Sequence, residues 1–322
     1  MRDQARTAAE AAPPCGAERI LVIKLGALGD FVQAMGPAAA IRAHHERAEI
    51  TLLTTAPFVE LARAAPYFDR IWVDERPGLA DPGALWRLRK RLREADFARV
   101  YDLQTARRTS WYFHLMGPGK RPLWSGIARG AALPHANPQR DRMHTLDRQA
   151  EQLRMAGIAA VPPPDLSWAK RDIARFGLRP RFALLVPGGA AHRPEKRWPA
   201  AHYGALAVHL AGRGLQPVIL GGKGESDLAV IIASASPEAR DLTGETSLGE
   251  AVGLGAAAAF AIGNDTGPMH LIVAAGSPAL VLYSAASDPA LTQPRGQGVS
   301  VLRRNDLAAL SVAEVEAALG LG

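Results

Sequence analysis

The chain has 322 residues, 48% hydrophobic, 21% charged and 6% aromatic, which is long enough for about two domains and too apolar for wholesale disorder. No uncharged run of 18 apolar residues occurs, and the first residues lack the apolar segment of a signal peptide, so a soluble cytoplasmic protein is expected. The single cysteine, Cys15, excludes an internal disulfide framework and a cysteine-built zinc site.

The formal charge of +7 is unevenly spread. Residues 1–165 carry 24 Lys and Arg against 18 Asp and Glu, whereas residues 166–322 carry 14 against 13. A basic excess confined to one half suggests an anionic partner: nucleic acid, an acidic membrane surface or a phosphorylated substrate. A solvated basic face is the plain alternative.

In chain order, a flexible tail is expected over 1–17, then a buried strand over 19–25 and a helix over 30–43. Strands follow at 50–54, 70–73 and 98–103, interleaved with helices at 57–65, 84–94 and 109–116. Short apolar runs alternating with helical patterns predict βαβ units and parallel sheets. After a helix at 146–156, the stretch 157–165 contains Pro162, Pro163 and Pro164, which suit neither a helix interior nor a central strand. The predicted division is a first Rossmann-like domain over 18–165 and a second over 166–322, with the last helix free to pack back on the first domain. The alternation restarts with strands at 182–186, 217–220, 258–262, 279–283 and 299–302. Helices are expected at 200–211, 226–233, 248–254, 268–275 and 312–319. The predicted fold class is α/β with two doubly wound domains, whose ligand cleft would face the carboxyl ends of both sheets.

Five segments could carry chemistry. In Lys24-Leu-Gly-Ala-Leu-Gly-Asp30, Gly26 and Gly29 permit a tight turn approached closely by a ligand, and Asp30 is either a functional acid or a helix N-cap. The loop 186–199 offers the backbone of Gly188 and Gly189 to a phosphate, with Lys196 as a mobile point charge; a solvated basic loop is the alternative. In Gly263-Asn-Asp-Thr-Gly-Pro-Met-His270, Pro268 opens a helix whose first N–H groups, at Thr266 and Gly267, suit a diphosphate. Asp265 and His270 are acid–base candidates there, or a cap and a packed histidine. Glu225, after Gly221-Gly-Lys-Gly, is placed like an acid that accepts from ribose hydroxyls, or is a surface carboxylate. The helix 84–94 lines up Leu85, Leu88 and Leu92 among Arg87, Lys90, Arg91 and Arg93, which suits a membrane surface, an anionic acceptor or simple packing by the apolar line. No Gly-x-Ser-x-Gly, Walker loop, His-Glu-x-x-His or Asp-x-Asp is present.

These segments, in this order, resemble glycosyltransferase family 9, the ADP-heptose:lipopolysaccharide heptosyltransferases. The resemblance spans residues 19–295. It rests on Lys24 to Asp30, Tyr101-Asp-Leu-Gln104 with Arg107 and Arg108, His144 to Gly157, Lys196-Arg-Trp-Pro199, the 263–270 string, and Asp288-Pro289 with Pro294. It implies a GT-B architecture with the active site between the domains, and an inverting transfer needing neither metal nor other cofactor. Asp30 would be the general base. Lys196 with the Thr266 and Gly267 N–H groups would stabilise the leaving diphosphate, Glu225 would hold the ribose, and Asp265 and His270 would belong to the donor site. The partners implied are a sugar nucleotide such as ADP-heptose and an anionic lipid A–Kdo glycolipid. The enzyme would be peripheral on the cytoplasmic face of the inner membrane and would bind no nucleic acid. Gly26, Gly29, Gln104, Arg107, Arg108 and Arg129 are the candidate acceptor contacts. Gly36-Pro37, inside the first helix, departs from the family pattern. A same-fold transferase using another sugar nucleotide or glycan remains open. A non-catalytic nucleotide-sugar-binding protein would not need Asp30, and a nicotinamide-dependent dehydrogenase fails on the missing glycine fingerprint.

Overall fold

In the computed structural model the described residues are 17–78, 81–117, 119, 121–190 and 192–321; Cys15 and the expected tail, apart from Ala17, lie outside them. From the amino end the elements run β1 (Arg19–Ile23), α1 (Leu28–Gln33), α2 (Met35–His44), β2 (Glu49–Thr54), α3 (Val59–Ala64), β3 (Arg70–Val73), α4 (Pro82–Glu94) and β4 (Arg99–Asp102). Next come α5 (Arg107–Leu115), β5 (Leu123–Gly126), β6 (Leu133–Pro134), α6 (Thr145–Met155), β7 (Phe182–Val186), α7 (Ala200–Gly212), β8 (Gln216–Ile219) and α8 (Ser226–Ala235). The chain closes with β9 (Arg240–Asp241), α9 (Leu248–Ala257), β10 (Phe260–Asn264), α10 (Gly267–Ala274), β11 (Ala279–Tyr283), α11 (Pro289–Thr292), β12 (Val299–Arg303) and α12 (Val312–Ala318).

Contacts divide these residues into two compact units. The first holds 17–25, Pro37–Asn137 and Ala150–Val161; the second holds Gly26–Gly36, Pro138–Gln149 and 162–321. Each has a six-stranded sheet, with order β3-β2-β1-β4-β5-β6 in the first and β9-β8-β7-β10-β11-β12 in the second. Every pairing described is parallel. Counted within each unit, both orders are 3-2-1-4-5-6, the Rossmann arrangement.

The central strands are continuous apolar runs because helices cover both faces of such sheets. Ile20 to Ile23 of β1 and Phe182 to Val186 of β7 are buried throughout. In the first unit Leu21, Ile23, Val100, Tyr112, Phe113 and Trp124 share one core. In the second, Leu185, Trp198, Tyr203, Leu206, Ile262 and Leu280 share another, which also takes in Val315 of α12. The last helix packs against α7, within the second unit.

The helix expected over 30–43 is two helices. Pro37 has no N–H to give the carbonyl of Gln33, so the ladder is interrupted there and restarts as α2. Gly36 is needed at the break because a Cβ would lie 2.2 Å from the carbonyl oxygen of Pro162. Four short elements were not anticipated: β5, β6, β9 and α11.

Candidate functional site

The strand order of the second unit reverses between β7 and β10, where an open α/β sheet binds its ligand. Their carboxyl ends feed the loop from Pro187 onward and the Asp265-Thr266 turn into α10. Asn264, the buried last residue of β10, ties these together. Its amide donates to the carbonyls of Pro187 (2.8 Å) and Gly188 (3.0 Å), and its oxygen accepts from the Trp198 N–H (2.9 Å) and the Tyr203 hydroxyl (3.2 Å). Trp198 is anchored in turn through Nε1 to the Leu310 carbonyl at 2.8 Å. The loop carrying Lys196 is thus held at both of its ends.

In front of these ends lies a pocket of about 610 Å³ lined, among others, by Gly29, Asp30, Gln33, Lys196, Asp265, Thr266, Gly267, His270 and Asp288. Lys196 Nζ donates to Asp265 Oδ2 at 2.7 Å, with the two side chains only 13% and 10% exposed. The ammonium is therefore fixed in direction and poorly hydrated, which strengthens its field. Thr266 is the N-cap of α10 but makes no side-chain cap bond, and Pro268 in the first turn has no N–H, so the positive helix end faces the pocket. Asp30 is the third residue of α1. Ala27 occupies the N-cap, so the capping role considered for Asp30 is replaced by a carboxylate in the pocket wall.

His270 is buried, and burial pushes its pKa down to about 4 against the opposing pull of Asp265 and Asp30. It is neutral at pH 7. Gln33 Nε2 lies 3.4 Å from its Nδ1 and also donates to the Thr292 carbonyl at 3.3 Å. An amide N–H facing Nδ1 makes that nitrogen the acceptor and leaves the proton on Nε2. The ring sits against Gly29, where a Cβ would come within 2.8 Å of Cδ2.

The pocket's far wall is clasped from behind. His144 Nε2 donates to the Gln293 carbonyl at 2.9 Å, Thr145 Oγ1 to the Leu291 carbonyl at 3.2 Å, and Arg295 pairs with both oxygens of Asp147 at 2.7 and 2.8 Å. These bonds hold α11, whose Leu291 and Thr292 line the pocket.

Other residues singled out in the sequence gather elsewhere. Glu225 accepts from the Gly189 N–H (3.0 Å) and the Gly222 N–H (2.7 Å), and a Cβ on Gly188 would fall 1.7 Å from its Oε1. Gly188, Gly189 and Glu225 form one cluster, and none of the three is among the residues lining the pocket. Gly26 takes a positive φ of 116°. In the first unit, Gln104 Oε1 accepts from the Leu25 N–H at 2.9 Å and Lys24 Nζ donates to the Leu103 carbonyl at 3.2 Å, joining the ends of β1 and β4. Beside them, burial raises the pKa of Asp102 to about 6 although the Gln104 and Thr105 N–H groups donate to it. Arg107 and Arg108 begin α5 and line a separate cavity of about 330 Å³ with Pro77, Gly78 and Trp111. Arg129 is exposed outside that lining. Gln33 and Asn264 were given no role in the sequence; the spacing of Gln33, three after Asp30 on one helix, was the available signal.

Among the described residues no group of three or more His, Cys, Asp or Glu could hold a metal ion, and no helix is long and apolar enough to cross a membrane.

Residues 85–317 match the model of glycosyltransferase family 9 (heptosyltransferase). The chain is 27% identical over 317 residues to lipopolysaccharide heptosyltransferase 2 of Escherichia coli, covering 88% of each sequence. Among solved structures it resembles E. coli ADP-heptose lps heptosyltransferase II with a TM-score of 0.77 at 24% identity, covering 94% of this chain and 97% of that one. A glycosyltransferase family 9 protein of Veillonella parvula gives a TM-score of 0.81 at 21% identity with the same coverages.

Proposed function

Since the chain belongs to glycosyltransferase family 9 (heptosyltransferase), we propose that it moves a heptose from ADP-heptose to the inner core of lipopolysaccharide, on a lipid A–Kdo acceptor at the cytoplasmic face of the inner membrane. The reaction inverts the anomeric centre and needs no metal. The names borne by its relatives support the donor and acceptor classes. The observation that carries the mechanism is one pocket holding an acid, Asp30, together with the fixed cation Lys196 and the open N-terminus of α10.

Asp30 takes the proton of the acceptor hydroxyl as its oxygen attacks the anomeric carbon from the face opposite the diphosphate. The bond from that carbon to the diphosphate breaks and ADP leaves. Lys196 and the N–H groups at Thr266 and Gly267 meet the charge that develops on the diphosphate, which is the task a divalent metal performs in other transferases. Asp265 aims Lys196, and neutral His270 offers its Nε2 proton as a donor. Glu225, braced by Gly189 and Gly222, has further lone pairs for the ribose hydroxyls. Gln104, Arg107, Arg108 and Arg129, with the turn at Gly26 and Gly29, serve the anionic acceptor.

Transfer is measured with ADP-heptose and lipid A–Kdo. Asp30→Asn should cut kcat by about a hundredfold or more while ADP-heptose still binds, and a chelator should leave the wild-type rate unchanged. Undiminished transfer by Asp30→Asn overturns the base assignment. Failure of the wild type to bind ADP-heptose overturns the donor, and the sugar nucleotide is then a different one.

A further inference from the structure

The helix α4 carries five cations and a single acid, Glu94, in 13 residues, and nothing above uses it. Its apolar line is spent on packing: Leu92 is in the core of the first unit and Leu88 packs against it. Two of the cations are also engaged in the fold. Arg89 Nε donates to the Leu115 carbonyl at 3.0 Å and Arg93 to the Met116 carbonyl at 2.6 Å, closing the carboxyl end of α5. What remains outward is an arc of Trp86, Arg87, Lys90 and Arg91, joined by the exposed Glu94, whose carboxylate lies 3.7 Å from Lys90 Nζ.

Trp86 is 60% exposed. Lys90 Nζ stands 5.3 Å from the Trp86 ring centre, and Arg91 lies 3.9 Å over Trp72. Arg87 and Arg91 border a groove of about 300 Å³ together with Val73, Asp74 and Glu75. An exposed indole on a helix face that also carries three long basic side chains matches the boundary between lipid headgroups and acyl chains. There the ring enters the apolar layer, its N–H stays wet, and the cations meet phosphate. An acidic protein groove would satisfy the cations, but it gives no reason to leave so large an apolar ring in water.

We propose that the outward face of α4 docks on an anionic lipid bilayer, with Trp86 inserted at the headgroup level and Arg87, Lys90 and Arg91 on lipid phosphates. This rests on the glycolipid reading only for why a bilayer should be near. The binding test therefore uses vesicles that carry no glycan, so its failure and the failure of that reading are separate results.

The full chain is sedimented with phosphatidylcholine vesicles and with vesicles containing about 30% phosphatidylglycerol. The expected result is binding to the anionic vesicles alone, lost on raising salt from about 0.1 to 0.5 M. Each cation near such a surface contributes about fivefold, so Arg87→Gln with Lys90→Gln should lower partitioning roughly 25-fold. The control Arg181→Gln with Arg213→Gln removes the same charge from exposed positions of the second unit and should leave binding close to wild type. Equal losses in the two double variants would make net charge, not this face, responsible, and would overturn the proposal. So would equal binding to neutral and anionic vesicles. Brominated lipids should quench the wild-type fluorescence and not that of Trp86→Phe; quenching that survives the substitution places another surface on the bilayer. Finally, R87Q/K90Q should slow transfer to acceptor embedded in vesicles and spare transfer to a delipidated soluble acceptor. An equal loss on both would assign the face to the glycan and overturn the bilayer.

Discussion

Gly188 illustrates how tightly the second loop is drawn. A methyl group there would meet the end of the Glu225 side chain, which can swing away only by releasing the Gly189 N–H. Gly188→Ala should therefore leave the melting temperature nearly unchanged while weakening ADP binding by about tenfold, the scale of one hydrogen bond to a charged group; calorimetric titration reads it directly. Two buried groups make opposite statements about pH. His270 titrates near 4 in the fold against 6.5 as its ordinary value, so the stability it contributes is complete above 6.5 and is lost as pH falls toward 4. Asp102 titrates near 6 against 3.8, so its contribution is complete below 3.8 and is lost as pH rises through 6. Each is worth roughly 3 kcal/mol across its window. Urea unfolding between pH 4 and 6.5 should show His270→Gln losing the first dependence and Asp102→Asn the second, so that the two difference curves slope in opposite directions. At this scale Asp30, Lys196, Asp265 and His270 stood out as candidates, each with a plain structural alternative, and the family resemblance favoured the functional reading; the structure brings all four to one pocket. Gln33 and Asn264 did not stand out, since a buried amide declares its role only when its partners have been located.

Among the elements, the long apolar strands were legible from composition, and the short ones were hidden for physical reasons. β6 and β9 are two residues each at sheet edges, and β6 contains Pro134, which only an edge position tolerates. β5 has one turn's worth of signal, the fully buried Trp124. The break between α1 and α2 was visible as Gly36-Pro37 but not its purpose, which is the passage of Pro162 and Pro163 against the helix. A side chain at Gly36 collides with main chain on the other side and cannot turn aside. Gly36→Ala should cost about 1–3 kcal/mol in urea unfolding. Because α1 bears both Asp30 and Gln33, the loss should be accompanied by a lower kcat.

In the whole molecule, the same six-strand order is built twice; the alternation of strands and helices in the sequence pointed to two doubly wound halves, with four strands in the first and five in the second. What it hid is that neither unit is a single stretch of chain. The second unit claims 26–36 and 138–149 as well as everything from 162 on, and it draws Asp30 and His144 from those segments. A fragment of residues 166–322 lacks the 27–33 stretch of its own pocket wall and the 138–149 segment that clasps α11. Expressed alone it should fail to bind ADP, and its amide hydrogens should exchange faster than in the intact protein.

That interleaving also bears on how the protein is made. Residues 26–36 leave the ribosome early, yet α10, the helix that α1 settles against, is synthesised more than two hundred residues later. At about 5–20 residues per second, this segment waits some ten seconds or more with Phe31 and Val32 uncovered. The three prolines following the last residues of the first unit mark the moment when that wait begins to end. A nascent chain stalled there would present a finished first sheet and an apolar hook with nothing yet to hold, the natural target of a chaperone.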